Sequence, residues 1–267
     1  MIIKTSKTKT FIKEYNKSND IPYFFIHGFT GSSNSWNSIL KDFNKYSYTI
    51  DVAGHRKSQF IDIESSYTID DWCYELYMIL NDLQINKINL CGYSMGGRIA
   101  IAFADKFKDK INSLILESAS LGLNESDVRS ERFYNDKELA EDLKNDIKPF
   151  MEDWSKNPLF ANQKKRNKIE WENQKKDRLS HDKYQLAKAL EVFSPSNMRY
   201  YDKAFQEFEF PIYVINGEED DKFIKIGREM IRLNKNTKQY IITKSGHNTH
   251  IENPEMFLNV LNNNIYE

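Results

Sequence analysis

The chain has little of what marks several common classes of protein. Its 267 residues include only two cysteines, Cys73 and Cys91, too few for the disulfide scaffold of a small secreted domain. No apolar run approaches the roughly 20 residues of a membrane-spanning helix, and residues 1–16 contain no apolar signal-peptide core. We therefore expect a cytoplasmic protein that does not insert into membranes and keeps both thiols reduced.

The chain also lacks an excess of charge of either sign. Lys and Arg number 38 against 39 Asp and Glu, so the net charge is −1 and creates no global field that would attract nucleic acid. A basic run at residues 163–178 is interrupted by Glu170 and Glu172, which favours a solvated helix face. We therefore expect no nucleic-acid partner.

Motifs for metals and common cofactors are missing as well. The sequence contains no CxxC pair, no HExxH, no calcium-binding loop, no phosphate loop and no dinucleotide-binding glycine fingerprint. These absences predict that the protein uses neither a metal nor a cofactor.

What the chain does have is an alternation of short apolar runs with helical patterns. The apolar runs predict strands at residues 22–26, 46–52, 88–91, 111–116, 212–215 and 239–242. Helical spacing begins after Thr68, where Asp71 completes a capping box, continues from Met95 to Lys106, and returns after Pro254. This order predicts an α/β fold, with a mostly parallel central sheet and helices on both faces.

The alternation stops in the middle of the chain. Residues 123–205 contain no β-like run and are rich in charge with helical patterns, including an amphipathic piece around Asp146–Trp154. We interpret this stretch as a helical cap inserted between two parts of one core, residues 1–122 and 206–267. The cap would cover the carboxyl ends of the strands, where sheets of this kind bind their ligands.

The residues Gly92-Tyr93-Ser94-Met95-Gly96 fit the pattern GxSxG, with a predicted strand before and a predicted helix after. Glycines suit this position because the chain reverses too sharply for a nearby Cβ. The turn places the Ser94 hydroxyl at a helix N-terminus, where developing negative charge is favoured. We predict that Ser94 is catalytic; the alternative is a chance Gly-Ser turn.

A serine hydroxyl needs a base, and the base needs an acid to orient it. His247 follows the predicted strand at 239–242, and Asp220 follows the one at 212–215, so both would reach the same sheet edge as Ser94. We predict a Ser94, Asp220, His247 triad. The weaker candidates are His250 for the base and Asp221 or Glu219 for the acid, while His27 and His55 are given turn-stabilising roles.

Catalysis through an oxyanion also needs two hydrogen-bond donors. The Met95 N–H directly follows the serine, and the Phe29 N–H lies in the glycine-rich loop after the strand at 22–26. We predict that these two amides form the oxyanion hole; the alternative for the loop is a plain glycine-rich turn.

Together the motifs HGFTGS, GYSMGGR, LILESAS, DWSKNPLF, GEEDDKF and GHNTHIENP resemble the α/β-hydrolase superfamily. Within it they are similar to the 2-succinyl-6-hydroxy-2,4-cyclohexadiene-1-carboxylate synthases of menaquinone biosynthesis. The resemblance covers nearly the whole chain. It implies the α/β-hydrolase fold and an enzyme of the carbon–oxygen lyase kind.

The reaction implied by this resemblance is an elimination. Pyruvate leaves 2-succinyl-5-enolpyruvyl-6-hydroxy-3-cyclohexene-1-carboxylate after the activated serine removes a proton alpha to the succinyl carbonyl, and the oxyanion hole stabilises the enolate. The implied partner is therefore a small-molecule tricarboxylate, with the protein a monomer or weak homo-oligomer.

A tricarboxylate requires cations, and the resemblance implies where they lie. Arginine suits carboxylates because its guanidinium pairs with them through two parallel hydrogen bonds. Arg98 follows the serine on the first helical turn, where a solvated helix arginine is the alternative. The full set of implied substrate-binding residues is Arg98, Tyr93, Arg132, Arg178, Trp154 and Lys222. The alternative for Arg132 and Arg178 is that they belong to the general charge of the cap, and for Trp154 that it belongs to the apolar core of the cap.

One segment departs from the family pattern. Members usually carry a DLPGHG-type loop after the second strand, and this chain reads Asp51-Val52-Ala53-Gly54-His55-Arg56. Arg56 thus replaces a glycine, either as an extra carboxylate contact or as a surface change. Two other functions stay open: a serine hydrolase acting on a small ester or a carbon–carbon bond, and a non-catalytic binding protein on the same fold.

Overall fold

The computed structural model describes residues 1–263, which form a central nine-stranded sheet with twelve α-helices. The strands follow one another in the sheet as β1, β2, β4, β3, β6, β7, β8 and β9, and β5 pairs with β2. Their bounds are β1 Ile2–Lys4, β2 Thr8–Tyr15, β3 Tyr23–Ile26, β4 Ser47–Ile50, β5 Gln59–Phe60, β6 Ile88–Tyr93, β7 Ile111–Glu117, β8 Ile212–Gly217 and β9 Thr237–Ile242.

The sheet is parallel from β4 through β3 and β6 to β9, as the sequence predicts. All six predicted strands are confirmed, each within about two residues. The antiparallel β1, β2 and β5 at the N-terminal edge were not predicted. In β2 the buried threonines Thr8 and Thr10 alternate with exposed or half-buried lysines, so the strand has no run of apolar residues to reveal it.

Helices cover both faces of the sheet, which confirms the predicted fold class. On one face α2 and α3 pack over a core that includes Trp72, Leu76 and Phe103, and on the other α1 and α12 pack around Trp36 and Phe257. The core helices are α1 Asn37–Leu40, α2 Ile69–Asp82, α3 Met95–Lys106, α9 Asp202–Gln206, α10 Asp221–Leu233, α11 Thr249–Glu252 and α12 Pro254–Asn263. The predicted capping box at Thr68 and Asp71 starts α2.

The first five of the six α-helices between β7 and β8 are α4 Ser126–Asn145, α5 Ile147–Trp154, α6 Gln163–Arg166, α7 Lys168–Arg178 and α8 Lys183–Val192. We call them the cap helices. Of these, α4, α5 and α8 share a small apolar core that includes Leu143, Phe150 and Leu186, and Phe29 from the loop after β3 packs against it. The boundaries drawn from the sequence at residues 123 and 205 stay a prediction, and residues 264–267 of the second core segment lie outside the described residues.

None of the helices within residues 1–263 has both the length and the apolar character that crossing a membrane would require. The two cysteines are buried and unbonded.

Candidate active site

The GxSxG segment forms a tight turn between β6 and α3. Ser94 has a φ of 52°, in the left-handed region that few residues other than glycine adopt. A Cβ on Gly92 would lie 2.3 Å from the Gly96 carbonyl oxygen, and one on Gly96 would lie 2.2 Å from the Ile26 oxygen. Both glycines are therefore required by close packing of backbone on backbone, and the result holds Ser94 above the sheet edge at the N-terminus of α3.

Ser94, His247 and Asp220 lie within hydrogen-bond distance in the predicted order. His247 Nδ1 donates to Asp220 Oδ2 at 2.7 Å, which leaves Nε2 as the acceptor for the Ser94 hydroxyl at 3.0 Å. The Asp220 and His247 side chains are buried, and Ser94 keeps part of its surface toward a cavity. This geometry suits proton transfer from the serine to the imidazole and back.

The weaker candidates for acid and base lie elsewhere. Glu219 binds Arg166 and Asn162 of the cap, outside hydrogen-bond reach of His247. His250 donates through Nδ1 to Glu117 at 2.6 Å and stacks on Trp36. These partners hold His250 away from Ser94.

The two predicted oxyanion donors face the same cavity as Ser94. Met95 is the first residue of α3, where an N–H has no acceptor within the helix. Phe29 lies in the loop after β3, and within residues 1–263 its amide has no backbone acceptor. His27 orders this loop: its Nδ1 donates to the Gly28 carbonyl oxygen at 2.8 Å, while its Nε2 accepts the Val52 N–H. Burial lowers the pKa of His27 to about 4, which agrees with a neutral ring that accepts a hydrogen bond.

A cavity of about 480 Å³ lies between the sheet edge and the cap helices. It brings together the whole set of predicted substrate-binding residues: Arg98, Tyr93, Arg132, Arg178, Trp154 and Lys222. Its apolar wall includes Phe160 and Trp154. The Trp154 ring packs edge-on against Phe29, with 5.2 Å between the ring centroids. The cavity thus combines an apolar wall with several cations, as a site for an organic polyanion would.

Two of these arginines have no carboxylate partner among the described residues. The Arg98 Nε lacks any hydrogen-bond partner, and burial together with the charge of Arg132 lowers its pKa to about 10. Within residues 1–263 the Arg178 guanidinium donates a hydrogen bond to Gln174 alone, and it lies over the rings of Phe160 and Trp171. Burial lowers the pKa of Arg178 to about 10. Unpaired cations deep in a protein are costly, so each offers an unfilled place for an anion.

The other predicted residues have different surroundings. Arg132 donates to Asp136 at 2.8 Å and is 41% exposed, so its charge is already paired. Lys222 is exposed at the cavity mouth. Tyr93 is buried with an unpartnered hydroxyl, and its pKa is raised well above the usual value by burial and by the nearby Glu117. The substrate-binding role of each residue stays a prediction.

Glu117 was not identified from the sequence as a site residue. Its fully buried carboxylate ends β7 and accepts from the Thr249 hydroxyl, the His250 N–H and His250 Nδ1. It thereby holds the segment that carries His247. The available signal was a glutamate at the end of an apolar run, in LILESAS, where a charge would otherwise be out of place.

Arg56 contacts a carboxylate of the protein itself. Its Nε lies 3.0 Å from Oδ1 of Asp177 on α7, while its backbone has a φ of 47°. The positive φ explains why a glycine suits this position in other members of the family. The neighbouring His55 has its Nδ1 3.3 Å from the Ala53 carbonyl oxygen, in keeping with the turn-stabilising role predicted for it.

Comparison with known proteins finds relatives that match most of the chain. The putative 2-succinyl-6-hydroxy-2,4-cyclohexadiene-1-carboxylate synthase of Bacillus subtilis is 31% identical over 236 residues, covering 87% of this chain and 85% of the relative. The synthase of Klebsiella pneumoniae is 29% identical over 232 residues, covering 86% and 88%.

Solved structures are similar over the same length. MenH from S. aureus superimposes with a TM-score of 0.88 and 31% identity, covering 96% of this chain and 97% of that one. An enol-lactonase from Burkholderia xenovorans LB400 has a TM-score of 0.84 at 17% identity, a likeness that shows the fold alone. The family model described as alpha/beta hydrolase fold matches residues 22–254. With the parallel sheet, the serine turn and this match over most of its length, the chain belongs to the alpha/beta hydrolase fold family.

Proposed function

We propose that the chain is a carbon–oxygen lyase of menaquinone biosynthesis, which eliminates pyruvate to form 2-succinyl-6-hydroxy-2,4-cyclohexadiene-1-carboxylate. The relatives that carry this name match the chain over more than four-fifths of its length. The observation that carries the proposal is that Arg98 and Arg178, beside Ser94 in one cavity, have no carboxylate partner in the described part of the chain. A neutral ester would leave both cations without a partner, whereas a tricarboxylate would satisfy them.

The proposed reaction starts at the serine. His247 Nε2 accepts the Ser94 proton, and the serine oxygen removes the proton alpha to the succinyl carbonyl of the substrate. Asp220 keeps the imidazole in the tautomer that accepts this proton and stabilises the imidazolium that forms. The proton thus passes from the substrate carbon to the serine and imidazole pair.

The electron pair left on the substrate carbon moves in two steps. It first forms an enolate, whose oxygen binds the N–H groups of Phe29 and Met95. It then moves through the ring, forms the new ring double bond and breaks the carbon–oxygen bond to the enolpyruvyl group. The departing pyruvate enolate takes up the proton held by the imidazole, which returns the triad to its starting state.

We further propose that the protein acts on this small molecule in the cytoplasm, as a monomer or weak homo-oligomer. The two unbonded buried thiols support a reducing compartment. Size-exclusion chromatography with light scattering at several protein concentrations checks the oligomeric state.

The direct test is pyruvate release from the enolpyruvyl substrate, generated in situ, by wild type, Ser94→Ala and Ser18→Ala. Ser18 lies in an exposed loop, so its variant controls for the loss of any serine hydroxyl. We expect wild type and Ser18→Ala to release pyruvate at the same rate and Ser94→Ala to lose at least about 10⁴-fold in kcat. A folded wild type that cleaves a chromogenic ester but releases no pyruvate above the spontaneous rate would point to the hydrolase instead. Binding without either activity would point to a non-catalytic protein.

A further inference from the structure

Two residues that flank Arg178 connect the cap to the core. Asp177, one residue before it, forms an ion pair with the Arg56 side chain at 3.0 Å and accepts hydrogen bonds from Asn34 at 3.0 Å and from the Ser32 hydroxyl. Its carboxylate is thus held by three partners that belong to two segments of the core. Because Arg56 pairs with it, Asp177 does not neutralise the adjacent Arg178.

His181, three residues after Arg178, makes the second connection. Its Nδ1 accepts the Arg56 backbone N–H at 2.8 Å, and its Nε2 donates to the Thr30 carbonyl oxygen at 3.0 Å. Thr30 has a φ of 64° and directly follows Phe29, whose amide is the proposed oxyanion donor. The ring is buried and can make both bonds only when neutral.

Arg56, Asp177 and His181, which we call the cap clamp, therefore reach both halves of the proposed site. We propose that Asp177 and His181 are positioning residues, which tie the docked cap to the loop that carries the Phe29 amide. The contacts of Asp177 fix the position of the Arg178 guanidinium. The contacts of His181 fix the backbone of Thr30, next to the Phe29 amide. This inference rests on the proposed function for its kinetic readout, although its structural readout does not.

Loss of the Arg56–Asp177 contact and loss of the His181 hydrogen bonds are expected to change the kinetics in different ways. Arg56→Gly and Asp177→Asn are expected to raise KM for the tricarboxylate about tenfold, because Arg178 is held less firmly and, in Arg56→Gly, faces an unneutralised carboxylate. The double variant is expected to be no worse than the weaker single variant, since both changes remove the same contact. His181→Phe keeps the bulk of the ring but removes both hydrogen bonds, and is expected to lower kcat about tenfold or more with little change in KM.

Stability separates positioning from a purely structural role. Arg56→Gly relieves the strain of a side chain at a φ of 47° but leaves Asp177 without its cation, so its melting temperature is expected to stay close to that of the wild type while KM rises. Lys175→Gln, an exposed neighbour on α7, is the matched control and is expected to match wild type in every measurement. Changes in melting temperature alone, with KM and kcat unaltered in all three clamp variants, would overturn the proposal.

Two further measurements do not need the substrate. Hydrogen exchange of residues 168–182 is expected to quicken in Asp177→Asn and His181→Phe, and labelling of Ser94 by a neutral fluorophosphonate is expected to slow in His181→Phe. If wild type fails to release pyruvate, the proposed function fails, and these two measurements still decide the cap clamp. Hydrogen exchange and Ser94 labelling at wild-type rates in every variant would refute the positioning role of the cap clamp.

Discussion

Arg98 occupies a position that is costly for the fold. It lies in the first turn of α3, where the helix dipole disfavours a cation, and its Nε has no partner. Burial lowers the pKa of this guanidinium to about 10, the direction expected for a cation deprived of water. Such a cost is typical of residues kept for function rather than for stability.

We therefore predict opposite effects of Arg98→Met on stability and on activity. The methionine keeps much of the volume without the charge, so the free energy of unfolding should rise by about 1–2 kcal/mol. KM for the tricarboxylate should rise about tenfold to a hundredfold, and by less for a neutral ester. Urea unfolding and pyruvate-release kinetics measure the two quantities. A variant that loses stability along with activity would assign Arg98 to the fold instead.

At the scale of elements, the turn between β6 and α3 depends on backbone contact rather than on side-chain packing. The glycines Gly92 and Gly96 allow the helix to start against the strand and against the Ile26 carbonyl. These contacts cannot relax without moving the sheet or the helix.

Gly92→Ala is accordingly expected to lower the free energy of unfolding by about 3 kcal/mol or more, because its Cβ would lie 2.3 Å from a backbone oxygen. Gly246→Ala is the matched control, because its Cβ would lie 3.3 Å from the nearest atom, a side-chain oxygen of Glu252, rather than against backbone. Denaturant unfolding of both variants tests the comparison. Equal losses would mean that backbone contact does not limit this turn.

The cap helices illustrate a different property of elements. Most lysines of the basic run at 163–178 are exposed, as predicted for a solvated face, while Arg166 and Arg178 point inward. A charged helix has no apolar stripe to define which side faces the core, so local pattern does not separate these two arginines from their neighbours.

For the whole molecule, a group of buried neutral histidines couples stability to pH. Burial lowers the pKa of both His27 and His181 to about 4, and their rings lie in the same loop region as His55. The unfolded chain, with histidines near 6.5, binds more protons than the folded protein between about pH 4 and 6.5. Stability contributed by these groups is therefore complete above pH 6.5 and decreases as the pH falls toward 4.

We predict that acidification from about pH 7 to 4 costs up to about 3 kcal/mol for each of these histidines. The two losses should at least add, because one charged ring in the folded protein disfavours protonation of its neighbour further. Urea unfolding across this pH range measures the loss, and His181→Phe should show a shallower decrease than wild type. If the free energy of unfolding fell equally steeply with pH in the two proteins, the lowered pKa of His181 would be contradicted.

Much of the architecture could be predicted because it depends on local pattern. Alternating apolar runs and helical spacing indicate a parallel sheet, and the order of serine, acid and histidine follows the strand ends that carry them. The β1, β2 and β5 strands were not predicted because β1 and β5 have only three and two residues and β2 opens with alternating threonine and lysine. The partner of β5 also lies about 50 residues away in the chain. The buried role of Glu117 also depends on a segment more than 130 residues away.

The sequence by itself determined the fold class, the serine turn and the chain order Ser94, Asp220, His247, since backbone sterics and strand periodicity are local properties. Only the tertiary structure decided which charges meet. Arg56 pairs with Asp177 and Arg132 with Asp136, while Arg98 and Arg178, which line the same cavity, form no ion pair with any carboxylate in residues 1–263. The reason is that an ion pair is specified by distance in space, and a sequence with 38 basic and 39 acidic residues allows many more pairings than the fold brings together.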